Sequence, residues 1–249
     1  MKYFYLLLSI ILPVLLLPAP SYAMHISEGI LPFSWAALWF AVSAPFLALG
    51  LRTLARRSEV DLASKPLVGM VAAVVFVISC MPVPVPMAGT CSHPCGTGLA
   101  AVLLGPTLGV VVAAVALLIQ ALFLAHGGLS TWGANLFTMG VLGSFAGYAA
   151  FRGMRLAGAG PVASAFAAGV AADWATYAGT ALIMAAGISG SSPVMPLAAR
   201  IGMAFVPTQL PLGVLEGVIT SGMVSLLLRK RPDLLARTAL AGMRLEGKP

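Results

Sequence analysis

Long apolar runs separated by short polar breaks dominate the sequence. After a leader-like start there are seven, at about residues 33–51, 67–81, 99–104, 108–124, 136–151, 162–188 and 205–228. Most approach the roughly 20 residues that a helix needs to cross the hydrocarbon core of a bilayer. The third is brief, and Gly105-Pro106 behind it breaks a helix, so it reads as a short or broken piece. Trp35 and Trp39 stand near the start of the first run, where interfacial anchors sit. The expected fold is all-α, a polytopic transmembrane bundle of about seven helices.

The polar positions add direction. Lys2, an apolar stretch from Phe4 to Leu17 and the small-x-small ending Ser21-Tyr22-Ala23 form a secretory leader. The expected division is residues 1–23 as signal peptide and 24–249 as a transmembrane metal-binding domain. Basic residues cluster at Arg52, Arg56, Arg57 and Lys65, at Arg152 and Arg155, and along the tail from Arg229 to Lys248. With Met24 outside and seven crossings, all three clusters fall on the cytoplasmic side and only Arg200 among the mature basic residues falls outside. The expectation is a multi-pass protein of the inner (plasma) membrane, N-terminus outside and C-terminus cytoplasmic.

Composition agrees: 60% of residues are hydrophobic and 8% charged, which excludes an ordinary soluble domain. The net charge of +7 lies in the membrane-flanking clusters, so it does not indicate a nucleic-acid partner. The sequence holds no Walker A pattern, no H-E-x-x-H and no G-x-S-x-G, so neither a nucleotide domain nor a common hydrolase signature is present.

The chemistry gathers where the leader would be cut. Cleavage after Ala23 makes Met24 the N-terminus, directly followed by His25. A free amine, the His25 amide nitrogen once deprotonated and the His25 imidazole can close adjacent chelate rings, leaving a place for one more nitrogen. Such a tetragonal, nitrogen-rich set suits nickel(II), copper(II) or cobalt(II) better than calcium or magnesium. The bland alternative is an ordinary histidine near a terminus.

The other histidines, His93 and His126, fall in loops that the expected topology places on the same outer side. His93, between Ser92 and Pro94 in a Gly-rich loop that opens a helix, is the candidate fourth ligand; packing, a Cys91–Cys95 bridge and a cysteine-ligated zinc are the alternatives. His126, with Asn135 at the end of its loop, suits either a supporting hydrogen bond or direct ligation, and Gln120 has the same ambiguity. Glu28 could neutralise the terminal amine or a cation, or cap the following helix. Asp173 and Glu216 lie inside apolar runs, where ionisable groups are expensive; they read as buried hydrogen-bonded ties between helices, with proton coupling as the sharper alternative. Small residues such as Gly153, Gly158, Gly160, Ala168 and Gly169 suggest close helix approach.

Three stretches together carry a resemblance: Met24-His25-Ile26-Ser27-Glu28-Gly29-Ile30-Leu31-Pro32, then Ser92-His93-Pro94-Cys95-Gly96-Thr97-Gly98-Leu99, then Gln120 through His126-Gly127-Gly128 to Asn135. In this order they closely resemble the CbiM/NikM family, the substrate-capture subunits of energy-coupling-factor ABC transporters for cobalt or nickel. The resemblance covers essentially the whole mature chain. It implies that the processed terminus inserts into the bundle and that Met24, His25 and His93 supply the metal's nitrogen ligands, with Glu28, Ser92, His126 and Asn135 as supporting candidates. Cobalt(II) for cobalamin synthesis is the implied cargo, nickel(II) the alternative. The implied partners are a small CbiN-like membrane subunit, a CbiQ-like transmembrane coupling subunit and a CbiO-like cytoplasmic ATPase pair, the chain itself being non-catalytic. Cys95, where the family commonly has Thr, and Ser27 depart from its pattern. An intramembrane metal-dependent hydrolase and a structural scaffold are the competing classes.

Overall fold

The computed structural model describes residues 25–81, 83–85 and 90–235. Met24 and the leader lie outside them, as does the distal basic tail. The described residues form an all-α bundle of seven helices, closed by the short turn Pro232–Leu235. They are α1 (Phe33–Val60), α2 (Ser64–Ser79), α3 (Thr97–Leu104), α4 (Pro106–Phe123), α5 (Trp132–Leu156), α6 (Pro161–Ile188) and α7 (Val194–Lys230). The α1, α4, α5 and α7 helices are long and apolar enough to cross a membrane. A ribbon of two short strands, Val83–Val85 and Thr90–Ser92, antiparallel with Val83 opposite Ser92, stands between α2 and α3.

Two helices run further than the apolar pattern predicts. The first continues through Arg52, Arg56 and Arg57 to Val60, since arginine is a good helix former and a helix leaving the bilayer needs no apolar surface. The last starts at Val194 rather than near Phe205 and contains Pro207 and Pro211, which membrane helices tolerate when neighbours meet the freed backbone groups.

Seating of α1 follows from residue size. Its buried positions are Ala36, Ser43, Gly50 and Ser58, nearly one every seven residues. A Cβ on Gly50 would lie 2.5 Å from the Thr107 carbonyl oxygen, so only glycine lets α1 lie this close to α4. Phe46, Leu47 and Leu54 pack partly buried against the core, while Leu38, Phe40, Leu49 and Leu51 face outward.

The tightest pairing is α6 with α7. A Cβ on Gly169 would meet the Glu216 carbonyl oxygen at 2.6 Å, and Trp174 Nε1 donates to the Gln209 carbonyl at 3.0 Å. Gly153, Gly158 and Gly160, expected to serve the same purpose, have nothing within 4 Å of where a Cβ would stand. They form the exit from α5 and the turn into α6, with Gly158 at φ +86.

The third apolar run does not cross by itself. Eight helical residues rise only about 12 Å. Residues 92–96 run into the bundle as fully buried, largely irregular chain that leads into α3, whose last carbonyl, Leu104, accepts from Arg57 Nη1 at 2.9 Å. Irregular backbone at membrane depth requires partners from the protein itself. Tyr177 supplies one pair: its hydroxyl accepts from the His93 amide and donates to the His93 carbonyl, both at 3.1 Å. Glu216 supplies another, accepting from the Cys95 amide at 2.6 Å and the Gly96 amide at 3.0 Å. Gly96 takes φ +71 where the chain turns into α3.

Candidate metal centre

Three loops bring the histidines together. His25 precedes α1, His93 sits on the descending loop before α3, and His126 begins the turn between α4 and α5. Their ring centroids are 4.9, 5.0 and 5.2 Å apart, and one nitrogen from each lies within 4.8 Å of the others. His25 Nε2 and His93 Nε2 are 3.3 Å apart.

The segment carrying His25 is pinned by side chains. Ile26 and Leu31 are buried against Ala134, Ile183 and Met184. Asn135 reads both faces of one peptide unit, its Oδ1 accepting from the Ile26 amide at 2.8 Å and its Nδ2 donating to the Ile26 carbonyl at 3.2 Å; the Thr131 hydroxyl also donates to that carbonyl. Gly127 and Gly128 make the bed: Cβ atoms there would stand 2.9 Å from His25 Cβ and 2.7 Å from the Glu28 backbone. Side chains at either position would push the N-terminal segment away.

Hydrogen bonds assign the tautomers. Gln120 donates through Nε2 to the Ser79 carbonyl (3.2 Å) and Ser79 Oγ (2.8 Å). That leaves its Oε1, which can only accept, facing His25 Nε2 at 3.0 Å. His25 therefore carries its proton on Nε2 and a lone pair on Nδ1. At His93, Nδ1 lies 2.9 Å from the Pro94 carbonyl, so Nδ1 carries the proton and Nε2 the lone pair. His126 Nε2 is buried and has no hydrogen-bond partner among the described residues.

Burial also favours the neutral imidazole. It lowers His25 well below the usual imidazole range, with further lowering from His93 and His126. His126 is likewise lowered by burial. The neutral form is the one that coordinates metals.

Two residues expected at the centre stand elsewhere. Glu28 is exposed and accepts from the Ser130 amide at 3.1 Å; it does not cap α1, whose N-cap is Pro32 without a side-chain bond. Ser92 turns to α7, its Oγ 3.0 Å from Thr208 Oγ1 and accepting from Gln209 Nε2. Cys95 is a free, buried thiol, so it has no bridge to Cys91. Tyr177 was not singled out in the sequence, since a tyrosine inside an apolar run gives no signal of its loop partner; Thr131 lay in the third family-like stretch without a role assigned to it.

A family model described as the cobalt uptake substrate-specific transmembrane region, CbiM, matches residues 25–234. The chain belongs to the CbiM family. A cobalt transport protein CbiM from Geobacter sulfurreducens is 67% identical over 229 residues, covering 92% of this chain, which spans 66% of that relative's length. A second CbiM, from Sorangium cellulosum, is 58% identical over 86% of this chain and 95% of its own. Among solved structures, a truncated transition metal transporter superposes with TM-score 0.73 at 30% identity, over 82% of this chain and 98% of that one. Another transition metal transporter gives TM-score 0.74 at 28% identity, over 83% and 93% of the two chains. The CbiM assignment thus joins the all-α membrane bundle to metal transport.

Proposed function

We propose that this chain is the cobalt-capturing membrane subunit of an ATP-driven importer, taking cobalt(II) at the outer face with its processed N-terminus and a loop histidine. The observation that carries the reading is the pair of assigned tautomers. A chelate of terminal amine, amide and imidazole closes through Nδ1 of its histidine, and the Ser79–Gln120 chain leaves the lone pair there. The Pro94 carbonyl leaves the His93 lone pair on Nε2, the nitrogen turned to His25. Met24 amine, His25 amide, His25 Nδ1 and His93 Nε2 then make four nitrogens around one ion. Asn135 holds the peptide that follows His25, and His126 closes the remaining side.

Cobalt is favoured over nickel because the relatives are named for cobalt. The chain binds and does not catalyse; ATP hydrolysis belongs to a CbiO-like pair acting through a CbiQ-like coupling subunit, with a small CbiN-like subunit beside it. The outward apolar face of α1 suits lipid and membrane-subunit contact. The basic clusters support a cytoplasmic C-terminus with the histidine end outside.

Intact mass spectrometry of the purified protein with and without cobalt tests the reading. A mass beginning at Met24, with one cobalt retained in the wild type and none in His25→Ala, supports it. A mass that retains the leader and still holds metal overturns the terminal chelate, because an Ala23-Met24 peptide bond leaves no free amine.

A further inference from the structure

A second group of ligating side chains lies deeper in the bundle. Cys95, Asp173 and Glu216 are buried, and one sulfur or carboxylate oxygen from each lies within 4.8 Å of the others. Asp173 stands near the middle of α6 and Glu216 near the middle of α7, so the group sits at mid-depth, two residues along the chain from His93.

Glu216 is accounted for by the loop amides it receives, and Asp173 is not. Asp173 is fully buried, has only the Cys95 thiol for a donor, at the long distance of 3.8 Å, and its Oδ2 has no hydrogen-bond partner. No ion pair with Lys or Arg involves either carboxylate among the described residues. A buried carboxylate normally takes hydrogen bonds, a cation or a metal. Here the nearest group is a thiol, which becomes a ligand when a metal displaces its proton.

We infer that Cys95, Asp173 and Glu216 form a second, intramembrane binding site for a divalent transition cation. The spacing suits it: a sulfur at about 2.3 Å and an oxygen at about 2.0 Å from one ion stand about 3.5 Å apart at a tetrahedral angle, close to the Sγ–Oδ1 separation seen here. One thiolate with two carboxylates selects a borderline ion such as cobalt(II) or zinc(II) over magnesium or calcium. On binding, the thiol proton leaves to water and the Sγ lone pair goes to the metal; no electron is transferred. The set shares no atom with the histidine centre, so this inference stands or falls separately from the proposed function.

The test uses the full chain carrying Cys80→Ser and Cys91→Ser, which leaves Cys95 as its one thiol. It is titrated with cobalt(II) while near-ultraviolet thiolate-to-cobalt charge transfer and bound equivalents are followed. The expected result is a charge-transfer band that persists in His93→Gln, disappears in Cys95→Ser with loss of one equivalent, and weakens at least tenfold in apparent affinity in Asp173→Asn. Helical circular dichroism checks that each variant is folded; should Asp173→Asn fail to fold, Cys95→Ser decides alone. Absence of any thiolate band in the folded parent, or loss of the band in folded His93→Gln, would overturn the inference.

Discussion

One residue, Pro94, separates His93 from Cys95, and the two enter clusters of opposite construction. The histidine centre is assembled from three loops and has two of its rings fixed in tautomer by carbonyl oxygens. The cluster around Cys95 joins one loop residue to the middles of two helices and gathers a thiol and two carboxyl groups, with no Lys or Arg ion pair among the described residues. Loops can be drawn aside, so the first can admit an ion from water. The second is held between α6 and α7, which pack closely at Gly169, and opening it means parting those helices. The descending loop links them, because Tyr177 holds its His93 end and Glu216 its Cys95 end.

The largest effect should come from removing the bed under the N-terminal segment. Changing Gly127 and Gly128 together to alanine places one Cβ 2.9 Å from His25 Cβ and the other 2.7 Å from the Glu28 backbone, and asks alanine to hold φ +82 at the first position. Overpacking of this kind costs about 1–3 kcal/mol, and a strained φ a similar amount. Cobalt affinity of the histidine centre should fall a hundredfold or more by isothermal titration, while helical circular dichroism stays as in the parent. Unchanged affinity would show that capture does not need His25 in its observed place.

That the histidines share one end was legible in the sequence, since a charge-biased topology places loops without knowledge of side-chain contacts. The seven helices were legible for the same reason: apolar length is the signal a bilayer imposes. The buried course of residues 92–96 was not, because six apolar residues followed by Gly-Pro do not reveal how the chain reaches them. Its supports were hidden too. Tyr177 and Glu216 are separated from it by 84 and 121 residues, and neither α6 nor α7 carries a pattern that names a loop partner. Glu28 was a supporting candidate for its charge and Ser92 for its place beside His93, yet Glu28 is engaged by the Ser130 turn and adjacent side chains need not point the same way. Ser92 accordingly turns to α7 while His93 turns to His25.

An intermediate effect should follow from Gln120→Leu. Leucine fills similar space but cannot accept from His25 Nε2, so the proton is free to move to Nδ1 and the ring to turn. Loss of such an orienting bond typically costs 10–100-fold in metal affinity. The same titration should show a loss in that range at the histidine centre, with the Cys95 thiolate band unaltered. Ser79→Ala removes one of the two acceptors that orient the Gln120 amide and leaves the other, the Ser79 carbonyl, so a smaller loss in the same direction is expected. Equal losses in both signals would mean that Gln120 supports the bundle as a whole rather than one ring.

The smallest effect sharpens the boundary of the centre. Glu28 lies three residues from His25 but is exposed, and the Ser130 hydroxyl and amide hold its carboxyl below the usual carboxylate range. Were its charge part of the metal centre, Glu28→Gln would weaken binding of a divalent ion, and more so at low salt. Its position says otherwise: the carboxylate faces the Ser130 turn, and glutamine keeps an oxygen that accepts the same amide. Surface changes of this kind stay within about 0.5 kcal/mol, which is about twofold in affinity. Cobalt titrations of Glu28→Gln at low and high ionic strength should therefore overlay the parent within that factor. A loss confined to low salt would extend the electrostatic field of the centre to Glu28 and make the outer loop part of the capture surface.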